Sequence, residues 1–167
     1  ESAIKAGDYQ ITNNLTQIAL LDYLTQGDAK QNAIQFIEGR TFNQLKRTLL
    51  ENPNIQHDTE SLTEQEILLQ IGATETVAEG LFFPDTYFFI KGDSDMHILR
   101  RAYQAMQTHL QTAWHLRSED LPLTTPYEAL ILASIIEKET GMESDRAQIA
   151  GVFINRLRKG MKLQTDP

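Results

Sequence analysis

The chain has 167 residues, enough for one domain or two small ones, and its net charge of -8 argues against nucleic acid and anionic lipid as partners. Both partners require a basic face opposite their phosphates. The absence of cysteine excludes disulfides and thiolate metal sites, and every apolar run is far shorter than the ~20 residues of a membrane helix. Because the chain begins at Glu1 without an initiator Met, we expect that a targeting or anchoring segment has been removed.

The first forty residues contain two predicted strands separated by a helix. Residues 7–11 are typical of a short strand, and Asn14 is placed to cap a helix over 15–24, whose apolar residues recur at helical spacing. Gly27 ends this helix. The alternation over 33–37 predicts the second strand.

Three helix starts share the capping-box pattern, in which two side chains satisfy each other's exposed backbone N–H groups. The pairs are Thr41 with Gln44, Thr63 with Glu66, and Thr125 with Glu128. The third also has Pro126 at the first helical position, where its missing N–H costs little. These pairs predict helices beginning directly after each threonine.

The remaining boundaries follow from polar segments and caps. Residues 52–59 are polar and contain a proline, which makes them the best candidate for a subdomain boundary. Ser94 or Asp95 opens a long helix to about Trp114. An almost wholly apolar helix over 125–140 ends at Gly141, and Ser144 is predicted to cap a last helix that ends at 159–160.

Glu137 is the leading candidate for chemistry. It follows Leu130, Ala133 and Ser134 at helical spacing, so we expect it to share a face with core residues. A carboxyl group buried there without a neighbouring cation keeps its proton and can act as an acid. A lysine or arginine against the carboxyl would contradict this expectation. The alternative is a helix-end carboxylate that reaches solvent.

An aromatic segment over residues 79–89 is the second candidate. Its rings are Phe82, Phe83, Tyr87, Phe88 and Phe89. One interpretation is a hairpin, turning at 84–85, that feeds alternate rings into the core. The other is a cleft wall whose rings stack on sugars while Glu79, Asp85 and Tyr87 supply hydrogen bonds.

Polar residues near the end of the chain form the third candidate. Asn155 interrupts a helix otherwise suited to packing, and Gln164, Thr165 and Asp166 precede Pro167 in an extended segment. These side chains either contact a ligand or lie in solvent and loop, and the pattern leaves both open.

Other chemistries lack their motifs. The histidines show no zinc-ligand spacing, and there is neither a glycine-rich phosphate loop nor a Gly-x-Ser-x-Gly elbow. Ser134 has no local base and is expected to pack or to bond back to its own helix. We therefore predict no metal and no cofactor.

Four segments together resemble one known family, the endolytic peptidoglycan transglycosylases of the MltG (YceG-like) type. They are residues 79–87 (EGLFFPDTY), 133–140 (ASIIEKET), 152–157 (VFINRL) and 160–167 (GMKLQTDP). The resemblance covers nearly the whole chain and places the catalytic glutamate of the family on Glu137. Family members continue well past the last segment.

The resemblance implies an α+β fold with two parts. Residues 1–56 resemble a small LysM-like α/β subdomain, and 57–167 a helix-rich, lysozyme-like transglycosylase domain that is incomplete at its C-terminus. Family members are bacterial and anchored in the cytoplasmic membrane, with the enzyme domain facing the periplasm. They act on nascent peptidoglycan glycan strands and are associated with peptidoglycan synthases.

The resemblance also implies a mechanism with a single carboxyl group. Glu137 protonates the glycosidic oxygen and then takes a proton from the muramyl C6 hydroxyl, giving a 1,6-anhydro end. Asn155, Gln164 and Asp166 are expected to bind substrate or orient Glu137, and Glu79 and Tyr87 to contact substrate. Two alternatives remain open: a lysozyme-like hydrolase, and a non-catalytic glycan-binding or scaffolding module.

Overall fold

The computed structural model describes residues 16–18, 20–21 and 32–164. Its strands and helices are β1 (Asn32–Gln35), α1 (Phe42–Leu50), β2 (Ile55–Gln56), α2 (Glu64–Ile71), β3 (Thr86–Phe89), β4 (Asp93–Ser94), α3 (Asp95–His115), α4 (Pro126–Glu139) and α5 (Glu143–Arg158). The strand predicted at 7–11 lies outside the described residues. Of the helix predicted over 15–24, residues 17, 18, 20 and 21 are helical and most of the remainder lies outside the described part.

Among the described residues, two small sheets accompany the helices, which confirms the α+β class. Strands β1 and β3 pair antiparallel, with Asn32 opposite Phe89 and Gln35 opposite Thr86. Strands β2 and β4 pair in parallel. The likeness to LysM and lysozyme folds stays a prediction.

The three predicted capping boxes are all present, at Thr41, Thr63 and Thr125. The predicted cap of the last helix is wrong. Helix α5 begins at Glu143 after Met142, which makes no side-chain cap, and the Ser144 hydroxyl donates to the Asp145 carboxylate within the helix. A capping box joins residues three positions apart, so a helix start is predictable from the sequence where both residues of the box are present.

The chain divides into two compact units, residues 1–103 and 104–167. The buried apolar residues of the first unit come from α1, α2, the start of α3, the strands and the loops between them. They include Leu49, Ile67, Leu68, Leu81, Ile98 and Leu99. The predicted division into a LysM-like subdomain over 1–56 and a catalytic domain over 57–167 stays a prediction.

The aromatic segment does not form the predicted hairpin. Only its last residues are a strand, and β3 pairs with the distant β1 rather than with a neighbouring segment. The expected alternation is confirmed, because Tyr87 and Phe89 are buried while Phe88 is 54% exposed. The segment therefore contributes mainly to the core of the first unit.

The second unit is built around the packed helices α4 and α5. Among its described residues the buried apolar side chains are Leu132 of α4 and Phe153 of α5. An ion pair at 2.6 Å between Arg158 and Asp120 attaches the end of α5 to the loop before α4. Of the helices in the described part of the chain, none is long and apolar enough to cross a membrane.

Candidate active site

Glu137 lies near the C-terminal end of α4, where the chain turns into α5. Thr125 and Pro126 start α4, and its last turn closes with the Thr140 N–H donating to the carbonyl of Ile136. Residues 140–142 link the two helices. A link this short places the first turn of α5 beside the last turn of α4, where Glu137 stands.

The carboxylate of Glu137 is paired with a cation. Its Oε2 lies 3.0 Å from Nη2 of Arg146, and the two side chains are 49% and 46% exposed. The expectation of a buried carboxyl without a neighbouring cation is therefore wrong. Arg146 belongs to the next helix, so the spacing of residues along α4 alone does not indicate it.

The face of α4 that enters the core also differs from the predicted one. Leu132 is 7% exposed, whereas Ala133, Ser134 and Glu137 are all exposed. Apolar residues surround α4 on nearly every side, so helical spacing did not identify which side would be buried. The expectation for Ser134 is confirmed, because its hydroxyl donates to the carbonyl of Ile131 at 2.7 Å.

Asn155 lies elsewhere on α5. It follows Arg146 by about two and a half turns, or about 13 Å along the helix axis, which places it on the opposite side of the helix. Phe153 is buried, and Asn155 is exposed. Within the second unit the structure therefore does not bring Asn155 to the Glu137 carboxylate.

The C-terminal candidates are only partly described. Gln164 is exposed and has a φ of 46°, and its carbonyl accepts a hydrogen bond from Nη1 of Arg156 at 3.1 Å. The same guanidinium contacts the carbonyl of Leu163. Asp166 lies outside the described residues. Arg156 thus holds the backbone at the start of the Gln-Thr-Asp segment.

Glu79 and Tyr87 belong to the first unit, and both make contacts that stabilise its fold. Oε2 of Glu79 accepts from the N–H of Phe42, the first residue of α1, at 3.0 Å. Tyr87 is 5% exposed, and its hydroxyl donates to the carbonyl of Phe83 at 2.7 Å. Burial raises the pKa of Tyr87 to about 12, and the nearby Asp85 carboxylate adds to the rise. Their substrate contacts stay a prediction.

Arg146 is the residue that sequence reasoning missed. The indication available in the sequence was the short turn at Gly141, which makes the start of one helix face the end of the other. Across residues 16–18, 20–21 and 32–164, no group of three or more His, Asp or Glu side chains could hold a metal ion. What the site offers chemically is one accessible carboxylate beside one guanidinium.

Comparison with known proteins identifies the family of the chain. Residues 1–167 match the YceG-like family. A Bacillus subtilis (strain 168) relative named endolytic murein transglycosylase is 31% identical over 161 residues, which covers 92% of this chain and 39% of the relative. A relative of the same name from Streptococcus pneumoniae (strain D39) is 29% identical over 195 residues, covering 98% and 34%. The chain thus spans well under half the length of these relatives, and its full-length match shows that it belongs to the YceG-like family.

Proposed function

We propose that this chain is part of an enzyme that cleaves peptidoglycan glycan strands internally by lytic transglycosylation. The bond cleaved is the β-1,4 bond from N-acetylmuramic acid to N-acetylglucosamine, and the product carries a 1,6-anhydro-N-acetylmuramic acid end. Such cleavage limits strand length. The observation that carries the proposal is the match of the whole chain to a family with relatives named endolytic murein transglycosylase.

The position of Glu137 supports its assignment as the catalytic residue. Its side chain is 49% exposed at the end of α4. An enzyme that cuts inside a long strand has to reach the bond from the side, which requires an accessible carboxyl group. Its Oε2 lies 3.0 Å from Nη2 of Arg146, so the carboxyl group is both accessible and held from the next helix.

The reaction needs one proton donor that then becomes the acceptor. Protonated Glu137 gives its proton to the bridging oxygen, the bond from muramyl C1 to that oxygen breaks, and N-acetylglucosamine leaves with a free 4-hydroxyl. The Glu137 carboxylate removes the proton from the muramyl 6-hydroxyl, and O6 forms the new bond to C1. No water is consumed, and Glu137 ends the cycle protonated as it began.

A single carboxyl group suffices because the substrate contains its own nucleophile. Most glycosidases use two carboxyl groups, one of which activates water or attacks the sugar. Here the 6-hydroxyl is already close to C1, so the attack is intramolecular and gains a high effective concentration.

The location and the substrate contacts complete the proposal. Murein lies in the bacterial cell envelope, so we place the enzyme there, facing the periplasm and held by an anchor outside residues 1–167 in the cytoplasmic membrane. Peptidoglycan synthases are the proposed partners. Asn155, Gln164, Asp166, Glu79 and Tyr87 remain the proposed substrate contacts.

The test is the Glu137→Gln substitution in the full-length protein. We expect release of anhydro-ended fragments from purified glycan strands to fall by at least about 100-fold, because the proton donor is lost. Mass analysis of the products measures this release, and far-UV circular dichroism checks the fold. Glu139→Gln, at the exposed end of the same helix, is the matched control and should retain activity. Retained activity in Glu137→Gln would rule out the assignment.

A second candidate function, glycan binding without cleavage, is favoured by one observation. In the described part of the second unit, Arg146 is the one charged partner of Glu137, and Asn155 lies on the far side of α5. Binding of this chain to purified sacculi without release of fragments would support that role. A lysozyme-like hydrolase is distinguished by products one water heavier than the anhydro form.

A further inference from the structure

The contact between Arg146 and Glu137 is not explained by a contribution to the stability of the fold. Arg146 pairs with Glu137 at 3.0 Å, and both side chains are about half exposed. Exposed ion pairs contribute little to stability, because water solvates both charges and ordering two long side chains is unfavourable. A cation near the N-terminus of a helix also opposes the helix dipole, and the acidic residues in the first turn of α5, Glu143 and Asp145, are the favoured type there.

The pair joins two neighbouring helices. Nη2 of Arg146 lies 3.0 Å from Oε2 of Glu137. The guanidinium comes from α5 and the carboxylate from α4, and these two helices are packed against each other. Arg146 therefore restrains the carboxyl group of Glu137 from the neighbouring helix, while the side chain stays about half exposed.

We propose that Arg146 is a positioning residue for Glu137, an inference that rests on the proposed function. It holds the carboxyl group of Glu137 in the orientation that gives the proton to the bridging oxygen and receives the proton of the 6-hydroxyl. Arginine stays charged throughout, so it takes no part in the proton transfers.

The inference is tested by Arg146→Gln in the full-length enzyme acting on purified glycan strands. We expect kcat for anhydro-product release to fall by about 10- to 100-fold, because a misplaced catalytic group reacts poorly, while KM changes less than about twofold. Arg146→Lys should recover part of the loss, since it keeps the charge without the planar fork.

The matched control is Arg158→Gln. Arg158 lies on the same helix and forms an ion pair of the same kind with Asp120, with side chains 44% and 71% exposed. We expect this variant to keep the kcat of the unsubstituted enzyme. An equal loss in Arg158→Gln and Arg146→Gln would show a merely structural effect and overturn the proposal.

The combination with Glu137→Gln separates the two proposals. If Arg146 acts through Glu137, adding Arg146→Gln to Glu137→Gln causes no further loss of the residual activity. An undiminished or raised kcat in Arg146→Gln overturns the positioning role while leaving Glu137 as the catalytic residue. Activity in Glu137→Gln alone overturns the proposed function instead. Should Arg146→Gln fail to fold, Arg146→Met is measured by the same criteria.

Discussion

The buried carboxylate of Asp95 is predicted to be a major source of stability in the first unit. Asp95 and Thr59 are both fully buried. The Thr59 hydroxyl donates to Oδ2 at 2.6 Å, and the Thr59 N–H lies 3.2 and 3.3 Å from the two carboxylate oxygens. These bonds attach the loop after β2 to the first residue of α3. Asp95→Ala removes the acceptor and leaves both donors buried.

The magnitude follows from those two donors. Each buried donor left without a partner costs about 1–3 kcal/mol, so Asp95→Ala should lower the free energy of unfolding by about 2–6 kcal/mol. Against a typical total of about 5–15 kcal/mol, this is a large fraction. Thr59→Val removes only the hydroxyl and should cost about 1.5–3 kcal/mol, the usual value of a hydrogen bond to a charged group.

Urea denaturation followed by far-UV circular dichroism measures both changes. Asp58→Ala is the control, because the Asp58 carboxylate accepts from the Ser94 hydroxyl at 2.6 Å in the same region but is exposed. Water replaces the lost partner there, so the loss should be under about 1 kcal/mol. If Asp95→Ala unfolds within 1 kcal/mol of the original protein, the reasoning from buried donors is refuted.

Two further predictions concern Glu79 and two buried tyrosines, Tyr87 and Tyr103, of the first unit. Glu79→Ala should lower the free energy of unfolding by about 1 kcal/mol, because the N–H of Phe42 loses its acceptor. Glu79→Gln keeps an oxygen and should lower the free energy of unfolding by less. Equal stability of the two variants and the original protein in urea would refute the capping role. Burial raises the pKa of Tyr87 and of Tyr103 from 10.0 to about 12. As the pH rises, tyrosines ionise in the unfolded chain before they ionise in the folded one. The contribution of these two side chains to the free energy of unfolding is therefore complete below pH 10 and is lost between pH 10 and about 12. Thermal unfolding across that range measures the loss, and Tyr87→Phe with Tyr103→Phe should flatten it; an unchanged pH dependence would contradict the assignment.

Local patterns predicted the helix starts because the groups involved are close in the chain. The box at Thr63 needs only Glu66, three residues later, and the same holds at Thr41 and Thr125. Strand pairing was not predictable in this way. The partner of β3 is β1, which precedes it by a long stretch containing two helices, and no local spacing indicates that pairing.

The environment of Glu137 shows the same limit at the candidate site. Its helix was predicted correctly from residue 125 onward, but the side that would be buried was not, because apolar residues surround α4. Leu132, rather than the expected Ala133 and Ser134, is the buried residue of this stretch of α4. The exposed setting of Glu137 follows from that choice of face.

The amino-acid sequence alone determined the family, the extents of the main helices and Glu137 as the residue to test, because these depend on residue identity and on neighbours along the chain. Only the tertiary structure decided the surroundings of that carboxylate. Burial depends on which face of a helix packs, and an ion pair depends on which side chains of another element come near. The packing of α5 against α4 brought Arg146 to Glu137 and replaced an expected apolar setting with a paired, accessible carboxylate.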